Sequence, residues 1–344
     1  MPAAVVLNPA SSSSNPANSS VSLWAYLKPA LDHIVKSSTN DPNGKAPAVD
    51  FVLYSGIHTA CYNYFTSQSE ASSATGSATA RGKAPAGSSD IYDHLDRYFA
   101  EVCQEIALNT PDDESTLVHF LVPSFKRYSS GAQSANRLLS YVNRHYVKRA
   151  VDEDRGWLRL NDVLDSVVKT LTIEDTREKI SKRLREKRAE ELRRWGYVEG
   201  DSSERLARAE ACSEAASSTD RIVPVASLAH RRFRTEVVEP LLLAPKSKGT
   251  SKAKHKIPKT PAGAAPYRPR GRLGRAVQHL MTAEDVEEDE KLRLISDLSH
   301  ALETIGVRPD HALRKRIEKY LVAAAGAIDQ KDGGDKVKAE SSRS

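Results

Sequence analysis

"GAQSANRLLSYVNRHYVKRAVDED", residues 131–154, decides how this chain is read. Leu138, Tyr141, Val142, His145 and Arg149 recur at three- and four-residue spacing, which puts them on one face of a helix. The same segment mixes tyrosines with Arg144, Lys148 and Arg149. That mixture suits the half-buried face of a helix whose cations stay in water, a nucleic-acid patch, or a surface that meets another protein. Periodicity alone leaves core packing and partner contact equally open for the tyrosines.

Working outward, the same spacing recurs. "SLWAYLKPALDHIVK" (22–36) carries Leu23, Leu27, Leu31 and Ile34, with Ser22 as the expected N-cap and Pro29 as an expected kink or later start. "VDFVLYSGIHTACYNYFTSQ" (49–68) aligns Tyr54, His58, Cys61, Tyr62 and Phe65. "DIYDHLDRYFAEVCQEIAL" (90–108) is a third helix. "DDESTLVHFLVPSFKRYSS" (112–130) is a fourth, opened by acids that suit a helix start and broken or bent by Pro123. The quoted segment is the fifth. "WLRLNDVLDSVVKTL" (157–171) is amphipathic, and the run 172–195 is nearly pure charge with one thin apolar stripe. Residues 199–220, low in apolar content, are expected to be loosely ordered, whereas 221–243 are helical again. No run shows the alternation of a strand, so the fold class is all-α.

Composition sets the organisation. The chain has 344 residues, 39% hydrophobic and 28% charged, with a net charge of +6, so it holds cores as well as polar connections. Expected boundaries are a disordered tail at 1–20, a first helical unit at 21–243 with a loop at 68–89, a basic Pro/Gly-rich linker at 244–272, a second, partial helical unit at 273–328, and a disordered tail at 329–344. Cys61, Cys103 and Cys212 fit no disulfide or metal spacing, and the N-terminal apolar run is too short for a signal segment. A cytoplasmic and nuclear protein without membrane spans is expected.

No phosphate-binding loop, nucleophile elbow or metalloprotease motif occurs, and the scattered histidines form no set. The expectation is no catalytic residue, no metal and no cofactor, hence no enzyme. The Lys/Arg residues of 246–275 offer an alternative, a basic helical protein that binds nucleic acid. Tyr267 is the segment's one ring, so stacking has little to work with, and a linker or localisation role ranks above it. A coiled coil over 173–195 is the weakest reading, because sustained heptads are missing.

Three stretches together carry a resemblance: "YSGIHTACYNYFTS" (54–67), "IYDHLDRYF" (91–99) and "LLSYVNRHYVKRAVDEDRG" (138–156). They resemble the first helical repeat of the cullins, the scaffolds of multisubunit ubiquitin ligases, and most of all the cullin of SCF-type ligases. The likeness covers most of 23–165 and, more weakly, 222–325. It implies a cullin-repeat-like bundle followed by the start of a second repeat. Residues 170–221 would be an insertion, and the family's C-terminal half would be absent. It implies a non-catalytic scaffold in ubiquitin-dependent protein catabolism that docks a BTB-fold adaptor carrying an F-box protein and recruits no RING protein. Adaptor contacts would fall on Tyr54, His58, Thr59 and Tyr62 of the second helix, and on Tyr141, Asn143, Arg144 and Tyr146 of the fifth. Two positions depart from the family: His58 replaces a usual Tyr and Phe125 a usual Trp.

Overall fold

In the computed structural model, residues 15–37, 41, 44–74, 86–159, 177–243 and 271–341 are described, and among them every regular element is helical. Helix α1 spans Ser20–Lys36. Its cap is Ser19, three residues before the expected Ser22, and Ser19 Oγ accepts the Ser22 backbone N–H at 3.1 Å. Pro29 does not end the helix. It removes one backbone bond, but Leu27, Ala30, Leu31 and Ile34 around it are fully buried, and that packing holds the turn.

Helix α2 (Phe51–Ala74) and helix α3 (Ala86–Leu108) shorten the loop expected between them from both ends. Helix α4 (Glu114–Leu138), capped by Asp113, continues through Pro123 unbroken, so the expected fourth helix and the first part of the expected fifth are one element. Next comes a π-helical turn, Val142–Val147, in which the Lys148 N–H donates to the Asn143 carbonyl, followed by the short α5 (Lys148–Asp152). Such wide turns are uncommon and concentrate at functional places.

Helix α6 (Arg177–Arg193) precedes α7 (Ser203–Ala216). The latter occupies the stretch expected to be loosely ordered. Its buried residues are small (Ala209, Cys212, Ser213 and Ala215), and they let it lie close against α8 (Val225–Phe233). Low apolar content therefore did not mean weak packing. Gly306, at φ +79°, shows how tight this end is: a Cβ there would stand 2.4 Å from the Ala216 nitrogen. A second π-turn (Arg234–Val238) leads into α9 (Glu239–Leu242). Helices α10 (Arg272–Thr282), α11 (Glu288–Thr304) and α12 (Ala312–Ser341) complete the chain, α12 continuing through the tail expected to be disordered.

Helix α4 is central, packing against α1, α8, α10 and α11, while α3 lies against both α1 and α8. Leu273, Val277, Ile295, Leu298 and Ile317 belong to the same buried cluster as Leu23, Phe99, Phe125 and Phe233, so the helices on both sides of 244–270 share one core. The expected basic linker, apart from its last residues, and the amphipathic stretch 160–171 lie outside the described residues. Helix α2 packs mainly on α1, with further contacts to α3 and α4, and buries Ile57, Ala60, Cys61 and Tyr64. Its opposite side faces solvent.

Candidate functional site

The open side of α2 is set by helical spacing. Tyr54, His58 and Tyr62 follow one another at four-residue steps, while Ile57, Cys61 and Tyr64 point into the core. Tyr54 and Tyr62 are 38% and 47% exposed. Beside them runs the π-turn. The His58 ring stacks on Tyr54 at 6.3 Å and meets the Tyr141 ring edge-on at 4.5 Å. Tyr141 also contacts Tyr62 at 5.6 Å and stacks on His145 at 5.4 Å. His145 in turn stacks on Phe65 at 5.8 Å. The result is one ribbon of rings across two elements, with Thr59 exposed at its side. Ring pairs at these separations hold one another in place, so the ribbon is presented rigidly.

Cations flank it. Arg144 is exposed, and its guanidinium lies 5.9 Å over the Tyr141 ring. Lys148 is exposed one turn further on. Neither forms an ion pair among the described residues, whereas Arg149 is bound to Glu153 at 2.9 Å.

Two of the expected contact residues are elsewhere. Tyr146 is only 6% exposed. Its ring packs on Tyr92 at 5.1 Å, Arg155 Nη2 donates to its hydroxyl at 3.2 Å, and burial raises that hydroxyl's pKa above its ordinary value. The spacing explains this: Tyr146 shares its stripe with Val142, which is buried, while Tyr141 shares its own with Arg144 and His145. Asn143 is half-buried and committed to the fold. Its Nδ2 donates to Asn136 Oδ1 at 2.8 Å and its Oδ1 accepts the Val225 N–H at 3.1 Å, while Asn136 Oδ1 accepts the Ala226 N–H at 3.2 Å. Helix α8 begins at Pro224, which offers no side-chain cap, so this asparagine pair satisfies its first free N–H groups. Of the residues that the resemblance implied, Tyr54, His58, Thr59, Tyr62, Tyr141 and Arg144 lie along this ribbon, and His145, which the spacing put on the Tyr141 face, joins them although it was not among the expected contacts.

The thiols of Cys61, Cys103 and Cys212 are buried, and burial pushes each up to about 12, which leaves them protonated and inert. Among the described residues no group of three His, Cys, Asp or Glu side chains could hold a metal, and no helix is long and apolar enough to cross a membrane. A cavity of about 670 Å³ lies apart from the ring ribbon, between Trp157, Trp195 and Arg308; Glu191 on its wall is bound by Arg194 at 2.7 Å. Of the basic segment 246–275, the described cations are tied into the fold: Arg272 donates to the Pro111 carbonyl and Arg275 to Glu114 at 2.6 Å.

Comparison with known proteins corrects the cullin assignment. No family model matches the chain. No solved structure matches it. A part of it is 27% identical, over 132 residues, to Cell division control protein 53 of Saccharomyces cerevisiae. That similarity covers 37% of this chain and 16% of the yeast protein. Membership of the family, and with it the reading of the chain as a family member lacking its C-terminal half, does not follow from a match of that extent. The residue order at 141–154 that carried the resemblance is short, and part of it, Val142, Asn143 and Tyr146, serves this bundle's own packing.

Proposed function

We propose that the chain is a scaffold rather than an enzyme, and that the ring ribbon of α2 and the π-turn docks a BTB-fold adaptor, with its F-box protein, in ubiquitin-dependent protein breakdown. The observation that carries this reading is the joining of Tyr54, His58, Tyr62 and Tyr141 into one open surface flanked by Arg144 and Lys148. Rigid amphipathic rings beside cations that form no ion pair among the described residues are what protein interfaces concentrate, and the cations would steer an acidic partner. The partial similarity to the yeast cell division control protein supports the ubiquitin-ligase side of the proposal. The three inert thiols agree with a role outside covalent catalysis.

The test is titration calorimetry of the full chain with a purified adaptor of the SCF type. Tyr62→Ala is expected to weaken binding by about 10- to 100-fold, the range of a central aromatic contact. Arg144→Glu should act in the same direction and mainly slow association. An adaptor that shows no heat and no co-migration with the unmodified chain removes the proposal.

A further inference from the structure

Beyond Tyr54, the open side of α2 continues toward its N-terminal end. Phe51 and Val52, in the first turn of α2, are 79% and 75% exposed. Asp50 holds that turn in place, its Oδ2 accepting the Val52 N–H at 2.9 Å and the Leu53 N–H at 3.4 Å. On a helix, Phe51 falls between the directions of Tyr54 and Ser55, in line with His58 and Tyr62. Val52 falls at the margin of the same side, in line with Thr59. Leu108 and Leu243 are also exposed, each at a helix end, which is ordinary for a protein surface. Phe51 and Val52 differ in being adjacent to each other and collinear with the rings.

We infer that Phe51, supported by Val52, is a second apolar anchor of the docking face, and that the partner it fits is an adaptor surface bearing an apolar ridge bordered by carboxylates. This rests on the docking reading above and extends it to an end of α2 that the ring ribbon does not reach. From Phe51 to Tyr62 the helix rises about 16 Å, against about 12 Å from Tyr54 to Tyr62, so the anchor lengthens the footprint by about a turn. The carboxylate border is set by charge: Arg144 and Lys148 border the rings without partners of their own among the described residues. A lipid surface is the lesser fit. The exposed side of α2 interleaves Ser55, Thr59, Asn63 and Thr66 with its rings, whereas an interfacial membrane helix keeps a broad continuous apolar face.

The experiment compares Phe51→Ala, Phe51→Leu and Tyr62→Ala in the full chain, each checked by thermal melt, against the purified adaptor and against vesicles containing phosphatidylserine. Phe51→Ala is expected to weaken adaptor binding by about tenfold or more, and Phe51→Leu by less than about threefold, because the leucine keeps most of the apolar area. Both variants should melt with the unmodified chain, since Phe51 is 79% exposed. If Tyr62→Ala weakens the adaptor complex and Phe51→Ala leaves it unchanged, the second anchor is wrong and the docking reading stands. If the unmodified chain does not bind adaptor, both fall. If Phe51→Ala instead abolishes binding to the vesicles, the face belongs to a membrane and the inference is overturned.

Discussion

Helices α2 and α8 belong to the same bundle, and their polar groups have opposite fates. On α8 each polar side chain from Ser227 to Arg232 is engaged. Ser227 donates to Glu214 at 2.6 Å, His230 shares a 3.0 Å hydrogen bond with Ser129, and Arg232 grips both carboxylate oxygens of Asp96 on α3. Arg231 is fully buried, and its Nη1 donates to the Ser218 and Arg221 carbonyls at 2.8 Å each, while its Nε and Nη2 have no hydrogen-bond partner among the described residues. On the outer side of α2 the rings of Tyr54, His58 and Tyr62 pair with one another and with Tyr141 beside the π-turn. Buried and half-buried polar groups that are bonded from within, such as Ser227, His230 and Arg232, fix which helices lie together. Groups left at the surface in a rigid arrangement carry no such duty. The contrast separates the part of the molecule that holds the fold from the part free to hold something else.

The largest expected effect breaks α8. Arg231→Ala would remove the bonds to the Ser218 and Arg221 carbonyls and leave a cavity in place of a fully buried side chain, lowering stability by about 3 kcal/mol in urea denaturation. Tyr62→Ala, on the other side of the comparison, should move the same midpoint by less than about 0.5 kcal/mol. Equal losses for the two would erase the distinction.

A smaller effect sharpens it through pH. Burial pushes the Glu214 carboxyl up to about 7 and pushes His230 down to about 4. The unfolded chain releases the Glu214 proton near 4.5 while the folded chain keeps it, so that contribution to stability is lost as pH rises from 4.5 to 7. For His230 the unfolded chain takes up a proton below 6.5 and the folded chain does not, so that contribution is lost as pH falls from 6.5 to 4. The two slopes oppose each other. Glu214→Gln should leave the histidine slope alone, with stability that rises steadily between pH 4.5 and 6.5, and should stabilise the fold at pH 7.5 by up to about 3 kcal/mol. Denaturation midpoints at three pH values check this, and an unchanged profile in the variant would count against it.

The smallest effect concerns a residue on the boundary between the two regions. Asn143→Ala removes the cap of α8 and is expected to cost about 1 kcal/mol of stability, with adaptor affinity unchanged once the folded fraction is accounted for. A clear loss of affinity at unchanged stability would return Asn143 to the docking face.

Much of the site was readable because it follows from spacing. Tyr54, His58 and Tyr62 recur every four residues, and so do Tyr141 and His145. The errors came where a residue's neighbours in the fold differ from its neighbours in the chain. Tyr146 was grouped with Tyr141 through the family resemblance, although its stripe is that of the buried Val142. Pro29 and Pro123 lie within helices because buried apolar neighbours outweigh one lost hydrogen bond. Helix α7 escaped notice because alanine, serine and cysteine side chains carry little hydropathy, yet they permit close helix contact.

By itself the sequence determined a helical fold class, the buried stripe of most helices, and that Tyr54, His58 and Tyr62 share one side of α2, since a 3.6-residue period leaves each such residue one side to face; that this side is open to solvent was decided by the packing of α2 on α1. Only the tertiary structure decided that the outer side of α2 and the π-turn lie together as one surface, that Asn143 is turned inward, and that the helices on both sides of 244–270 share a core. Those outcomes depend on which helices meet, and that choice is made by burying apolar area and satisfying polar groups across the whole bundle at once.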